Sequence, residues 1–371
     1  MPDTIGRLAA TAGIGLCGGA LFQLLHLPLA WMLGPALALM VLNAVRPGLA
    51  LWPRLCGDFG ILVIAYSLGR RMDGETGRLM LEQLPWMVLA AVFWFVLCLL
   101  AGLAIARRAQ VDRTSALLGS VPGGLAQMVY MAEQFKGADV GTVALIQTAR
   151  LIVVLYAVPL LAAHALLGHR AVVDSDGAAG VTAAASGVAS IADGAAGSAA
   201  FGWGTWALLA LVPVSSWLAR RLRLPAGELL GPLLFVGGLA IAGWGWPQAP
   251  EPLVGAGQWL FGSYLGNRVR LRLLLENKRL GPLAVLTSLL LMAVTVLLAW
   301  GLAQLTPISM LTWFLSLAPG GLGEVSVTAL ALDADLSHVT AYQMARLLVV
   351  LLLAKAVAAR LAARERSADG G

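Results

Sequence analysis

The sequence repeats itself once, at an offset of 197 residues, within a strongly apolar chain. Three motifs occur in both copies: Leu-Gly-Pro at 33–35 and 230–232, Pro-Gly-Gly-Leu at 122–125 and 319–322, and Gln-x-x-Arg-Leu at 147–151 and 343–347. The last motif is offset by 196 residues, which indicates a one-residue deletion between the copies. Two tandem copies of an apolar unit with a glycine-rich break are typical of transporters built from structural repeats.

Composition predicts a membrane protein. Of the 371 residues, 59% are hydrophobic and 12% are charged, whereas about a quarter of the residues in a soluble domain are charged. Apolar runs occur at 8–24, 28–45, 55–69, 84–106 and 140–163, and in the second copy at 203–219, 225–244, 253–267, 281–303 and 336–359. A helix that spans a bilayer needs about 20 such residues. We therefore expect an all-α polytopic membrane protein, with the first run, which follows Arg7 without a clear cleavage site, as a retained span.

The two copies predict membrane repeats at 1–165 and 202–366, joined by a Gly/Ala/Ser-rich segment at 166–201. This segment is interpreted as a flexible linker, with a weak Ala/Gly helix across the membrane as the alternative. Most loop Lys and Arg residues face the cytoplasm if each copy has about five spans and a Pro-Gly-Gly segment that returns to the same side. With six spans per copy, the excess of Lys and Arg on the cytoplasmic side is lost, unless the linker also crosses the membrane. The positive-inside rule therefore favours two inverted repeats of about five spans, each with a broken or re-entrant helix.

The Pro-Gly-Gly segments interrupt the apolar pattern at matching places. Pro122 and Pro319 lack an N–H donor, and the glycines that follow adopt dihedrals closed to other residues, so a helix ends there. Within a bilayer, such a break requires cover from protein or a wet cavity, into which the restarted helix aims N–H groups. The predicted substrate-binding residues here are Gly123, Gly124, Gln127, Gly320, Gly321, Glu324 and Ser326. The alternative is a glycine-packed kink.

Two arginines lie in the middle of predicted spans. Arg150 is about 15 Å into its helix at 1.5 Å per residue, and Arg346 lies similarly deep. Because an arginine at this depth costs at least about 2.5–3.5 kcal/mol, something must compensate it. Gln147 and Gln343, three residues earlier on the same helix face, complete the set of predicted substrate-binding residues. Either the arginines contact an anionic substrate, or they neutralise the C-terminal ends of the broken helices or pair with Glu324.

Several functional classes do not fit this sequence. The four histidines do not cluster with cysteines or acids at ligand spacing, and the three cysteines lie in apolar runs. There is no phosphate-binding Gly-x-x-x-x-Gly-Lys-Ser/Thr motif and no basic polar module for nucleic acid. We therefore expect no enzyme activity, no cofactor, no metal and no nucleic-acid partner.

The duplicated Leu-Gly-Pro, Pro-Gly-Gly-Leu and Gln-x-x-Arg-Leu motifs resemble the bacterial AbrB-type membrane family over nearly the whole chain except 166–201. The resemblance implies a relationship to cation/proton antiporters and anion transporters, whose members use inverted repeats and broken helices. Names given to the family include transporter, regulator of gene expression and ammonia monooxygenase. The scattered histidines argue against an oxygenase, and paired mid-membrane acids, which cation exchange commonly uses, are lacking.

The predicted function is secondary transport of a small polar or anionic solute by alternating access. The site would lie between two broken helices, in a multi-pass protein of the bacterial inner membrane. The alternative is a membrane sensor that binds a solute without moving it and affects gene expression indirectly. Membrane lipid and the solute are the expected partners, and a homodimer is left open.

Overall fold

The computed structural model describes residues 2–70, 72, 74–122, 128, 131–133, 138–166, 203–222, 227–247 and 249–369, among which every regular element is a helix. The first copy contains α1 (Pro2–Leu24), α2 (Ala30–Val45), α3 (Arg54–Gly69), α4 (Gly74–Ala109), α5 (Arg113–Ser120) and α6 (Val140–Leu160), which continues into a π-helical turn, Leu161–Leu166. The second copy contains α7 (Trp203–Arg221), α8 (Gly227–Ile241), α9 (Glu251–Arg268), α10 (Leu271–Glu276), α11 (Leu280–Leu305), α12 (Met310–Leu317), α13 (Leu322–Ala331) and α14 (Leu336–Asp369).

The helices lie over the apolar runs of the sequence, which confirms the all-helical prediction. Among the residues that the structure describes, five stretches are long and apolar enough to cross a membrane: Thr4–Leu24, Glu82–Ala109, Val140–Ala163, Leu280–Leu305 and Leu336–Ala354. Helices α2 and α8 are apolar but shorter. The number of spans and the inverted orientation of the copies stay predictions. The predicted linker lies outside the described residues apart from residue 166.

The chain forms two compact units, and each unit takes segments from both copies. Unit 1 comprises Met1–Leu81, Pro159–Val269 and Gly323–His338, and unit 2 comprises Glu82–Val158, Arg270–Leu322 and Val339–Gly371. The predicted repeats at 1–165 and 202–366 describe the duplication of the sequence, which is a different division. Those repeat boundaries therefore stay a prediction.

In unit 1, the glycine of each Leu-Gly-Pro motif lies where two helix backbones touch. A Cβ on Gly34 of α2 would lie 2.3 Å from the carbonyl oxygen of Gly18 on α1. A Cβ on Gly231 of α8 would lie 2.4 Å from the carbonyl oxygen of Ser215 on α7. Both members of the second pair are offset by 197 residues from those of the first. Because only glycine fits so close a backbone approach, the duplicated motif is explained by helix packing.

Within unit 1, helices of the first copy pack against helices of the second. Helix α9 packs on α2, and α8 packs on α3. A Cβ on Gly266 would lie 2.2 Å from the carbonyl oxygen of Ala36, and a Cβ on Gly60 would lie 2.6 Å from that of Gly257, where α3 crosses α9. Gly60 and Gly257 occupy matching positions of the two copies. The second helix of each copy therefore packs against the third helix of the other.

Two apolar cores of unit 2 lie among the described residues, and each is built from both copies. The first core includes Ile105, Ala116, Ile146, Leu280 and Ala284. The second core includes Phe95, Leu118, Val143, Val350 and Ala354. Helices α4, α5 and α6 each contribute to both cores, so these three helices pack together within unit 2.

Candidate functional site

The second Pro-Gly-Gly segment lies between two helices of the structure. Helix α12 is capped by the Ser309 hydroxyl, which accepts the N–H of Thr312, and ends at Leu317. The chain is not helical through Pro319, Gly320 and Gly321 until α13 begins at Leu322. The eight residues of α12 extend about 12 Å, which is far short of a bilayer.

The matching segment of the first copy begins in the same way. Helix α5 also has eight residues, and its cap, the Asp112 carboxylate, accepts the N–H of Ser115. Asp112 and Ser309 lie 197 residues apart. The predicted site residues Gly123, Gly124 and Gln127 lie outside the described part of the chain, so a matching broken helix in the first copy stays a prediction.

Gln343 and Arg346, which we call the second anchor, hold the C-terminal end of α12. The Gln343 side-chain amide donates to the carbonyl oxygens of Leu315 at 2.7 Å, Ala318 at 3.1 Å and Ser316 at 3.3 Å. The Arg346 guanidinium donates to the carbonyls of Leu317 and Ala318, to that of Gly320 at 2.6 Å, and to Gln343 Oε1. The second anchor therefore satisfies the carbonyls that the end of the helix leaves without partners.

Gln147 and Arg150, the first anchor, make corresponding contacts at the end of α5. Gln147 donates to the carbonyl oxygens of Val121 at 2.8 Å and Leu118 at 3.3 Å. Arg150 donates to the carbonyl oxygen of Ser120 at 3.2 Å and to Gln147 Oε1 at 2.6 Å. The three backbone carbonyls that the first anchor contacts, those of Leu118, Ser120 and Val121, lie 197 residues before carbonyls that the second anchor contacts, those of Leu315, Leu317 and Ala318.

The anchors place two positive charges beside the negative ends of two short helices. A helix C-terminus carries about half a negative charge, which favours a cation there. The contacts of Arg150 and Arg346 agree with the alternative in which the arginines neutralise these helix ends. A direct contact of either arginine with a substrate stays a prediction.

The two guanidinium groups also lack an acidic partner in unit 2. They lie within electrostatic range of each other and of the Cys98 thiol on α4. Among the described residues, no carboxylate forms a salt bridge with either arginine. Carbonyl dipoles compensate part of each charge, and the net charge of the pair is positive.

Sequence reasoning missed the caps of the helices that carry the anchors. The Asp139 carboxylate accepts the N–H of Thr142 at 2.8 Å and that of Gly141 at 3.1 Å at the start of α6. Hydrogen bonds from the Thr142 side chain and then from these backbone N–H groups lower the pKa of Asp139. Asp335 accepts the N–H of His338 at 3.0 Å at the start of α14, 196 residues later. An Asp directly before an apolar run is a helix-start signal that would have found both.

Glu324 and Ser326 lie on α13, in the segment that belongs to unit 1. Glu324 is in the first turn, and its backbone carbonyl accepts the hydroxyl of Thr328 at 2.8 Å. The Ser326 hydroxyl is fully buried and has no hydrogen-bond partner. Gly323 faces the ring of Phe261 and the side chain of Leu229, so the packing at the start of α13 is apolar.

A network of charges in unit 1 also escaped the sequence analysis. Arg54 pairs with Glu228 at 2.9 Å and approaches Asp58 at 3.8 Å, and Arg220 pairs with Asp58 at 3.1 Å. The network joins α3 of the first copy to α7 and α8 of the second. No sequence signal would have found the Arg54–Glu228 and Arg220–Asp58 pairs, since their members lie more than 160 positions apart. Arg54 and Asp58, by contrast, lie one turn apart on the same helix.

The part of the chain that the structure describes contains no group of three or more His, Cys, Asp or Glu residues placed to hold a metal ion. Five long apolar helices and a helical fold with arginines anchored in its interior indicate a membrane protein. The chain belongs to the family described as Transition state regulatory protein AbrB, which matches residues 31–362.

Two relatives match nearly end to end. The chain is 24% identical to "Uncharacterized protein YhjN" of Bacillus subtilis (strain 168), over 92% of this chain and 89% of that protein. It is 27% identical to "Putative regulator AbrB" of Escherichia coli (strain K12), over 91% of each. The family resemblance that the duplicated motifs predict is therefore confirmed.

Proposed function

We propose that this protein is a multi-pass transporter of the bacterial inner membrane that moves a small anionic solute by alternating access. The observation that carries the proposal is the pair of anchored guanidinium groups, Arg150 and Arg346, with which no described carboxylate forms a salt bridge. A buried positive charge without an acid is costly in an apolar interior, and an anion that enters relieves the cost. Ionisable side chains inside membrane spans are rare, and they usually mark a functional site.

The short helices α5 and α12 are part of the proposed site together with the arginines. Gln147 on α6 and Gln343 on α14 hold the ends of α5 and α12. In the proposed architecture the copies are inverted repeats, and Gly320 and Gly321, with their counterparts Gly123 and Gly124, form the breaks that face the solute. Gln127 completes the proposed lining, and Glu324 and Ser326, which belong to unit 1, stay predicted substrate-binding residues. Transport of this kind involves no chemical step, so we propose neither enzyme activity nor a cofactor.

Uptake into proteoliposomes tests this function. Purified protein is reconstituted, and uptake of labelled carboxylates, inorganic anions and small cations is compared with that of empty liposomes. We expect anion uptake that Arg150→Gln reduces about tenfold or more, because a hydrogen bond to a charged group contributes about 1.5–3 kcal/mol. Arg272→Gln is the matched control, since Arg272 is exposed and pairs with Glu276 on its own helix. Uptake of cations alone would contradict the proposal.

A second candidate is a membrane sensor, favoured by the name "Putative regulator AbrB" of the Escherichia coli relative. A sensor would bind the anion without flux and act on gene expression indirectly, without contacting nucleic acid itself. Thermal unfolding of the purified protein with increasing anion separates the two, because binding raises the unfolding temperature whether or not flux occurs. Anion-dependent stabilisation without uptake would support the sensor.

A further inference from the structure

The two anchored arginines of unit 2 have hydrogen-bond donors that the helix ends do not use. In the part of the chain that the structure describes, both guanidinium groups donate through Nη1 and Nη2 alone, Arg346 to four acceptors and Arg150 to two. A guanidinium has five N–H donors and accepts nothing. Arg346 is therefore left with little more than Nε–H, whereas Arg150 keeps Nε–H and part of its Nη hydrogens for another partner.

Packing brings both anchors to the C-terminal end of α5. The first anchor holds the backbone carbonyls of Leu118 and Val121. The side chains of these two residues belong to the same buried core as Val350. Val350 follows Arg346 by one turn on the same face of α14. The face of α14 that carries the second anchor therefore packs toward the helix end that the first anchor holds.

Cys98 of α4 lies within electrostatic range of both guanidinium groups. The contacts of α4 agree with this position. A Cβ on Gly102 would lie 2.9 Å from the carbonyl oxygen of Ala116 and 3.0 Å from the hydroxyl of Ser120, so α5 lies directly on α4. Cys98 precedes Gly102 by one turn on the same helix face and is fully buried. Since a thiol is a weak donor and a weak acceptor, it compensates the two charges little.

The acids of unit 2 whose contacts are described serve other groups. Asp112 caps the start of α5, and Asp139 caps the start of α6, about 16 Å along the helix from Arg150. Glu276 pairs with Arg272 on α10. No described carboxylate forms a salt bridge with either anchored arginine. Because two like charges in an apolar interior raise each other's cost, the pair favours a partner with two negative charges.

We propose that unit 2 binds a divalent anion, a dicarboxylate or an inorganic dianion, between the guanidinium groups of Arg150 and Arg346, with the Cys98 thiol in the wall of the site. Arg150, which has more donors left, makes the paired hydrogen bonds that a guanidinium offers to an oxyanion. Arg346 contributes its charge and Nε–H while it holds α12. The inference rests on the proposed function and deepens it, because it names the charge of the solute.

The first measurement tests whether the wild type distinguishes anions by charge. The unfolding temperature of purified protein is followed with succinate and sulfate, which are dianions at neutral pH, and with acetate and chloride, at constant ionic strength. Separate succinate and sulfate titrations distinguish an organic from an inorganic dianion. We expect one of the dianions to bind about tenfold more tightly than either monoanion, the effect of one added hydrogen bond between charged groups. Equal affinities for all four anions would overturn the inference.

Cys98→Asp supplies a negative charge from the protein itself. The new carboxylate lies within range of both guanidinium groups, so it competes with the dianion, and we expect the dianion affinity to fall about tenfold or more. Cys98→Asn has the same size without the charge, and this matched control should keep the preference for dianions. Sulfate also stabilises proteins by exclusion from their surface, so only the saturable stabilisation is compared. Equal dianion affinities of the two variants would place the site elsewhere.

Arg150 provides a test that does not depend on the folding of Cys98→Asp. Arg150→Gln removes the charge, and we expect it to bind dianions and monoanions alike. Arg150→Lys keeps the charge, and it should keep the preference while binding more weakly. Arg272→Gln is the control, since it removes an exposed charge that Glu276 already pairs. A purely structural role of Arg150 would change all affinities in parallel, and a dianion preference that survives in Arg150→Gln would contradict the site.

Uptake into proteoliposomes separates this inference from the transport proposal. Anion uptake without any preference for dianions would overturn the site and leave transport standing. Dianion binding that Cys98→Asp abolishes and Cys98→Asn retains, without uptake of any anion, would support the site and contradict transport. If no anion stabilises the wild type in a saturable manner, the site as proposed is wrong.

Discussion

The first and second anchors share a geometry, and the helices beside them differ in chemistry. In both copies a Gln and an Arg, three residues apart, hold the carbonyls at the end of an eight-residue helix. Helix α4 carries Trp94 and Cys98 where α11 carries Leu291 and Thr295, whose hydroxyl donates to the Leu291 carbonyl. Duplication therefore supplied one helix-holding device twice, while the side chains of the neighbouring helices diverged.

Removing each arginine tests whether the two anchors contribute equally to the free energy of unfolding. Arg346→Ala leaves three acceptors without a donor, since the Ala318 carbonyl still accepts from Gln343, and each unsatisfied buried group costs about 1–3 kcal/mol. We expect a loss of about 3 kcal/mol or more in the free energy of unfolding. Arg150→Ala, which frees two acceptors, is expected to lose about two thirds as much. Unfolding of both variants in detergent measures the difference, and equal losses would show that the anchors are equivalent.

The glycine contacts of unit 1 differ from the anchors of unit 2, because both copies make the same close helix contact. Gly34→Ala and Gly231→Ala each drive a Cβ into a backbone carbonyl, so each is expected to cost about 1–3 kcal/mol of unfolding free energy. Gly238→Ala is the control on the helix of Gly231, since nothing lies within 4 Å of its Cβ position. That control should leave stability unchanged or raise it slightly, because alanine favours helix. A large difference between the first two variants would break the equivalence of these contacts.

The caps Asp139 and Asp335 predict a smaller and pH-dependent effect. Asp139→Ala and Asp335→Ala each remove a cap worth about 1 kcal/mol at neutral pH. Because the pKa of Asp139 is lowered in the fold, its contribution is complete above the unfolded pKa of about 3.9 and disappears as pH falls through the folded pKa. Unfolding temperatures of the wild type and Asp139→Ala should therefore converge toward low pH. A constant difference at all pH values would contradict this account.

The charge network of unit 1 is expected to have the smallest effect. The positions that match Asp58 and Arg220 are Gly255 and Gln23, so the second copy cannot form the same pair. Since Arg220 is partly exposed, Arg220→Ala should cost no more than about 1 kcal/mol, and added salt should reduce the cost. Unfolding at low and high ionic strength measures it. A cost that salt does not change would assign the contribution of Arg220 to packing.

The sequence predicted more of the fold than of the site. Apolar runs marked the helices correctly, although α4 begins ten residues before its predicted run and ends three residues after it. Pro319 marked the end of α12, because a residue without an N–H cannot continue a helix. Spacing placed Gln343 and Arg346 on one helix face, but it left open whether they meet a solute or a helix end. Cys98 gave no signal, since its place within range of the two arginines exists only in the folded chain.

What the sequence determined by itself is local: where helices form, where proline and glycine interrupt them, and that each such feature occurs twice. The tertiary structure decided which helices meet, as when α9 packs on α2 and α8 on α3. The physical reason is that, in a membrane, buried and lipid-facing sides of a helix are both apolar, so hydropathy does not identify a helix's partner. Partner choice depends on close backbone contacts such as Gly266 on Ala36 and Gly60 on Gly257, and these exist only after residues far apart in the chain come together.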